Sequence, residues 1–568
     1  MYIKYCNSST IDQHKNLSAE QPAIRMKTTS YDYVVIGAGS AGCVLANRLS
    51  SDGTTTVALL EAGGRDWNPW IHVPVGYFKT IHNPSTDWCY MTEPDPGLNG
   101  RSLKWPRGKV LGGSSSINGL LYVRGQRQDY DRWAELGCRG WSYTDVLPYF
   151  KRAENQSRGA DDYHGADGPL HVSDMSFKRP ICDDFINGVA ELGTPLNNDI
   201  NGETQEGVGY FQLTSHKGRR CSTAVAYLNK ARSRPNLTIV THAMVKKIKF
   251  EEKRATQVLI DRKGSPMSIN ARCEIILSAG AIGSPQILQI SGVGAGEKLR
   301  ELDIQVIADS PDVGENLQDH LQIRAVYKTR QPVTLNDELS NPLQKLRAGL
   351  QYMLTRTGPL SMAASQVYAF SKTRLANERP DIQYHFQPLS ADSPGEGLHP
   401  FSAITASVCQ LRPQSRGSIH IKSTDANIHP TITPNYLSTD LDCQTAIEAV
   451  RFTRAIMNSN AMRPHIAEEL LPDSAASTDE ELLEQARSIA NTIYHPTSTC
   501  RMGPDDKAVV DSRLRVNGVS GLRIVDASIM PEIVSGNTNA PTIMIAERAA
   551  DLILEDRKQH GVQTVTTD

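Results

Sequence analysis

The sequence predicts a mixed α/β fold: a parallel sheet with flanking helices, assembled from discontinuous segments, beside a second unit with a mostly antiparallel sheet backed by helices. Three observations predict it. A β-branched and aromatic run, Tyr31 to Ile36, passes through a glycine-rich turn into an apolar-faced helix from Cys43 to Leu49. The same strand, glycine-rich turn and helix recur from Cys273 to Pro285. A short strand from Leu522 to Val525 is followed by a closing helix from about Ile543 to Glu555. One sheet therefore draws on distant parts of the chain.

In the first unit, Gly37, Gly39 and Gly42 stand in G-x-G-x-x-G spacing between strand and helix. Gly37 permits the tight turn, Gly39 lets backbone approach a pyrophosphate, and Gly42 lets helix and strand pack closely. The helix N-terminus offers free N–H groups and a positive dipole end to phosphates. A second strand, Thr55 to Leu60, ends at Glu61-Ala62, about twenty residues past the loop, where a carboxylate accepts ribose hydroxyls. The unit reads as a Rossmann-like dinucleotide-binding domain. The motif itself leaves FAD and NAD open.

The segment from Asp66 to Gly100, rich in Trp, Pro, Asn and Gly, reads as a long ordered excursion over that domain. From Arg107 to Gly119 runs a loop in which Gly112 and Gly113 precede Ser114, Ser115 and Ser116. It is expected to expose N–H and hydroxyl donors to a flat ligand and to open a helix. Short polar and aromatic pieces fill Tyr163 to Gly218, and strand-like alternation resumes from Leu237 to Phe250. Residues 321–492 alternate strand-like runs (Ser418 to Ile421) with helical ones (Ala446 to Met457). The expected division is 31–175, 219–320 and 493–568 for the nucleotide domain, and 176–218 with 321–492 for a substrate domain.

Composition bounds the rest. The chain has 568 residues, 39% apolar and 21% charged, which suits a globular protein of more than one domain. A net charge of −2 without a basic run gives no footing for nucleic acid. Ten cysteines without a C-x-x-C pair argue against a metal centre or a disulfide framework and suggest a cytoplasmic chain. Residues 1–30, polar and without the apolar core of a secretory signal, read as a disordered tail. The uncharged stretch Ile275 to Gly296 is broken by Gly, Ser, Gln and Pro, so no transmembrane segment is expected. Peripheral contact with the inner face of a membrane stays open, as does the oligomeric state.

In this order, the loop from Gly37 to Gly42 with Glu61, the stretch Gly108 to Asn118, the unit Gly280 to Gly294, and the ends around His495 and Asn539 resemble the glucose–methanol–choline (GMC) oxidoreductases. The resemblance runs from about Tyr31 to Leu554, and within the family it is similar to bacterial choline-dehydrogenase-like and aliphatic-alcohol dehydrogenases. It implies FAD. It also implies that Gly37, Gly39, Ser40, Ala41, Gly42, Glu61 and Ala62 hold the ADP half. Arg107, Val110, Gly112, Gly113, Ser116, Asn118 and Gly119 would pass beside the isoalloxazine, and Val245 would meet the adenine. Ala279, Gly280, Asp526, Ala527, Asn539, Pro541 and Thr542 would complete the site around the pyrophosphate and ribityl chain. Some relatives attach the flavin covalently through a histidine; Ile117 stands at that position here, so the expected FAD is non-covalent. Ser498 replaces a glycine common in the family, and a positive φ there would strain the turn after His495.

Alcohol oxidation needs a base for the hydroxyl proton, with a pKa near the working pH, and histidine suits this. The resemblance assigns His495 as base and Asn539 as the hydrogen-bond partner of the alkoxide oxygen. The expected substrate is a small, primary alcohol; the acceptor is a quinone, another electron carrier or oxygen. With oxygen the enzyme would be an oxidase releasing peroxide; a GMC-fold lyase or photodecarboxylase is the remaining alternative. His320 and Cys500 read as structural, and Arg412 as a surface ion pair.

Overall fold

The computed structural model describes residues 27–392 and 397–565. Two seven-stranded sheets organise them. In chain order their strands are β1 (Lys27–Ile36), β2 (Val57–Glu61), β3 (Gly207–Tyr210), β4 (Leu237–Thr241), β5 (Ala243–Glu251), β6 (Arg254–Arg262) and β7 (Ser265–Leu277). There follow β8 (Leu321–Thr329), β9 (Val367–Ser371), β10 (Ile382–Gln387), β11 (Ala403–Gln410), β12 (Ile466–Leu471), β13 (Asn491–Thr492) and β14 (Leu522–Ile524). The helices that matter for the site are α1 (Ser40–Leu49), α2 (Gly280–Ile290), α3 (Pro342–Thr355), α4 (Asp440–Met457) and α5 (Asn539–Val565).

The first sheet runs β4-β2-β1-β7-β6-β5, with β14 on the far half of β7. Its β4, β2, β1, β7 and β14 pairings are parallel, and those of β5, β6 and β7 antiparallel. The central strands are buried throughout, as both faces of a parallel sheet demand: Val34, Val35, Val57, Leu59, Ile275 and Ile276 are inaccessible. Strand β1 begins before the expected Tyr31, because β7 extends beyond the parallel core and pairs Lys27 to Tyr31 with Met267 to Ala271. Residues 27–30 are thus strand, not tail; the rest of the expected tail lies outside the described residues.

The second sheet runs β12-β8-β11-β10-β9-β3, with β13 on β8, and every pairing in it is antiparallel. Helix α4 packs on β11 and β8, burying Ile447, Val450 and Ile456 against that sheet. The run from Ser418 joins neither large sheet: Ser418–His420 forms a separate hairpin with Thr431–Thr433.

Candidate active site

One cavity takes its lining from both sheets. On the first side stand Gly37, Gly39, Ser40, Ala41, Glu61 and Ala62. A Cβ on Gly37, at φ +97°, would lie 2.4 Å from the Ser278 carbonyl oxygen, and one on Gly42 would lie 1.8 Å from the Gly37 oxygen. Those two glycines are therefore packing requirements, and Gly42 does not reach the cavity. Gly39 is different: a Cβ there meets nothing within 4 Å. The starts of α1 and α5 meet at this point, where Ser40 Oγ donates to Asn539 Oδ1 at 2.7 Å. Two helix N-termini converging on open space form an anion cradle.

Glu61, at the end of β2, is buried and accepts from the N–H groups of Ala38 (3.0 Å) and Gly63 (2.8 Å). Burial pushes its carboxyl up to about 7 against those two bonds, and its remaining lone pairs can accept ribose hydroxyls. The buried Ser278 hydroxyl on the same wall has no protein partner. Open glycine surface, two helix starts, an acceptor carboxylate and an orphaned hydroxyl fit the FAD that the motif and resemblance imply. Val245, Ala279, Gly280, Ala527 and Thr542 line the same cavity. Asp526 lines it too, with its carboxylate held by Gly280 N, Ser284 Oγ and Ser528 N and Oγ at 2.6–2.8 Å.

The serine loop differs from expectation. It opens no α-helix; residues Gly113–Ser116 make one 3₁₀ turn. Two of its three hydroxyls turn inward, Ser115 Oγ to Gly112 O (2.6 Å) and Ser116 Oγ to Leu111 O (2.7 Å), while Ser114 lines the cavity and accepts from Gly108 N at 3.2 Å. The reason is local: buried hydroxyls satisfy the nearest carbonyls first. Ser116, Gly112 and Val110 thus shape the loop without lining the cavity, and Pro541 does not reach it. Gly113, Ile117, Asn118 and Gly119 do line it, Asn118 with its Oδ1 held by Arg220 at 2.6 Å. Arg107 brings a half-buried guanidinium to the lining and donates to the Tyr494 carbonyl at 2.6 Å.

A cluster of buried titratable groups lies at the other end. Strands β8 and β13 pair antiparallel, and Gln318 continues that ladder opposite Thr497. This brings the chain around His320 against the chain around His495. Asp319, buried between them, accepts from His495 N (2.7 Å), Thr492 Oγ1 (2.6 Å) and Tyr436 OH (2.5 Å). Its pKa is raised to about 6 by burial, and those donors favour the ionised form. The turn that carries His495 is strained on both sides, with Tyr494 at φ 70° and Ser498 at φ 76°.

The hydrogen-bond partners assign the tautomers. His320 Nε2 lies 3.0 Å from the Leu411 carbonyl, which can only accept, so Nε2 carries hydrogen. Burial drives the His320 pKa down to about 4, so the ring is neutral and its Nδ1 is bare. That Nδ1 lies 3.0 Å from His495 Nδ1, which must therefore be the donor. His495 is buried too, and burial, then His320, His385 and Arg107, hold its pKa well below the usual histidine value. It is left neutral with a bare Nε2 beside the cavity.

Asn537 Nδ2 faces that Nε2 at 3.2 Å. Asn537 and not Asn539 is the amide paired with His495; Asn539 opens α5, and its oxygen is taken by Ser40. No local pattern in Gly536-Asn537-Thr538-Asn539 separates the two amides; the long-range bond from Ser40 is what engages Asn539. Gln383 and His385 are further groups not anticipated from the sequence. Gln383 Nε2 donates to Asn537 Oδ1 at 3.3 Å, and His385 lines the cavity. His320, expected to be structural, touches the His495 imidazole. Arg412 makes no surface ion pair; its guanidinium donates to Pro380 O (2.7 Å), Gln126 and Ser535. Cys500 is packed in the core as expected. Among the described residues no group of His, Cys, Asp and Glu could hold a metal, and no helix is long and apolar enough to cross a membrane.

A dinucleotide cradle opening onto a neutral, buried imidazole with a bare nitrogen defines a dinucleotide-dependent oxidoreductase. The chain belongs to the GMC oxidoreductase family, whose N- and C-terminal profiles match residues 31–322 and 413–546. It is accordingly an FAD-dependent enzyme acting on alcohol CH–OH groups. The chain is 43% identical over 527 residues to the alcohol dehydrogenase [acceptor] of Pseudomonas putida, covering 92% of this chain and 96% of that one. It is 44% identical over 533 residues to the oxygen-dependent choline dehydrogenase of Paraburkholderia xenovorans, covering 93% and 95%. Among solved structures, pyridoxine 4-oxidase from Mesorbium loti is 32% identical with a TM-score of 0.83, covering 92% of this chain and 98% of that one.

Proposed function

We propose that the enzyme oxidises a primary alcohol to the aldehyde, with His495 as the base and Asn537 as the donor that fixes the substrate oxygen. The observation that carries this is the 3.2 Å approach of Asn537 Nδ2 to the bare Nε2 of His495 at the cavity wall. A substrate hydroxyl that displaces this direct contact donates its proton to Nε2 and accepts from the amide. As the proton leaves, the amide hydrogen bond to the oxygen strengthens, the differential interaction that lowers a barrier. The His320 lone pair fixes the tautomer throughout and supports the positive charge that develops on His495. FAD, when bound, supplies the acceptor for the hydride from the substrate carbon.

Residues 31–175, 219–320 and 493–568 would hold FAD, and 176–218 with 321–492 would face the substrate. Non-covalent FAD follows from Ile117, which stands at the cavity without a nucleophile; acid precipitation should release all flavin into the supernatant. The functional test is anaerobic mixing of the yellow protein with a panel of alcohols. Bleaching of the visible flavin band by a primary alcohol is the expected result; a flavin that no alcohol bleaches would contradict it. Fast recovery in air then identifies oxygen as acceptor, and slow recovery hastened by a quinone identifies a dehydrogenase.

A further inference from the structure

Helix α3 has its apolar side outward. Leu343, Leu346, Leu350, Met353 and Leu354 are 74%, 59%, 45%, 62% and 83% exposed. Their spacing, successive steps of three, four, three and one, puts all five on one arc of a helix that turns 100° per residue. Ala348 and Tyr352, on the opposite side, are its buried residues. A surface helix ordinarily shows the reverse pattern, and an apolar stripe of this length facing water marks an interaction surface.

The charges around the stripe say what kind. Between Pro342 and Arg356 the helix carries Lys345, Arg347 and Arg356, all exposed, and no acid. Tyr352 OH anchors the helix by donating to Gly218 O at 2.9 Å. Gly218 sits between Lys217 and Arg219, which are also exposed. A second copy docked by twofold symmetry through this face would bring each cation set against its own duplicate. An anionic lipid surface instead matches both features: acyl chains for the stripe and phosphate headgroups for its basic flank.

We propose that α3 docks the protein on the surface of an anionic phospholipid bilayer. The docking face lies near the cavity: the turn Pro359–Ser361 that follows α3 packs on Pro74–Lys79, whose Tyr77 and Phe78 line it. Its residues are separate from His495 and Asn537, so the proposal stands or falls independently of the catalytic assignment.

The test is co-sedimentation of the full-length, FAD-loaded protein with vesicles of phosphatidylcholine and phosphatidylglycerol, against phosphatidylcholine alone. The expected result is pelleting with the anionic vesicles, several-fold less with the neutral ones, and further loss on adding salt. The variant Leu346→Glu/Leu350→Glu/Met353→Glu should lose about tenfold in pelleting, with its flavin spectrum and alcohol-dependent bleaching unchanged. A separate variant, Lys345→Glu/Arg347→Glu, leaves the apolar face intact and should lose several-fold, which decides the matter if the first variant folds poorly. No pelleting with anionic vesicles, equal pelleting with both lipids, or unchanged pelleting of the charge variant would overturn the proposal. So would a concentration-dependent dimer dissolved by the leucine variant, which would give the face to a second copy.

Discussion

His320 and His495 meet nitrogen to nitrogen, Nδ1 to Nδ1 at 3.0 Å, with their ring planes 83° apart. Two neutral imidazoles can share that contact only if one donates, and the Leu411 carbonyl decides which one does. His495 is thereby held as the tautomer with its Nε2 lone pair toward the cavity, the form the proposed base requires.

The pH dependence follows in sign. In the proposed reaction His495 acts in its neutral form, and burial with neighbouring His320, His385 and Arg107 disfavours its protonated form. Protonation, and with it loss of activity, is pushed to lower pH. The rate of flavin reduction should stay level as pH falls through 6.5, the ordinary histidine value, with its acid limb well below that. Stopped-flow reduction across the acid range checks this; a limb centred at or above 6.5 would contradict it.

Asn537→Ala removes the amide that faces the reactive nitrogen and should slow flavin reduction by about 10²–10³-fold, the scale of a lost oxyanion donor. Asn539→Ala should leave that step within about tenfold of wild type. It breaks the link between the starts of α1 and α5, so its expected effect is weaker retention of FAD on dilution. A larger loss of reduction rate in the Asn539 variant would reverse the assignment.

Ser498 is buried at φ 76° and bonds through its hydroxyl to Thr497 alone. A left-handed conformation costs a non-glycine residue about 1–2 kcal/mol. Glycine loses about 0.5–1 kcal/mol more entropy on folding. Ser498→Gly should therefore stabilise the protein by about 0.5–1 kcal/mol, read as a higher urea midpoint at unchanged slope. A loss above about 1 kcal/mol would show that the serine is held for its hydroxyl.

The nucleotide half was legible because its constraints are local. A chain that must turn at Gly37, approach a phosphate at Gly39 and pack at Gly42 has to place glycines at those spacings. The second sheet was less legible in detail. Strand β3 is four residues, Gly-Val-Gly-Tyr, and becomes a strand only by pairing with Val367 to Phe370 far along the chain. The His320 contact likewise depends on a ladder between residues far apart, and no local pattern around Gln318-Asp319-His320 announces it. At residues 536–539 the sequence offered two asparagines, and the choice between them rests on the long-range bond from Ser40 to Asn539. The three serines were visible as residues, but the inward hydrogen bonds of Ser115 and Ser116 were not.

The most direct test of the account is the anaerobic rate of flavin reduction in His495→Ala, using an alcohol that bleaches the wild type. The base contributes about 10²–10⁴-fold, so the rate should fall by that factor while the bound-FAD spectrum persists. Equal rates in the variant and wild type, at equal flavin content, would remove His495 as the base and with it the proposed mechanism.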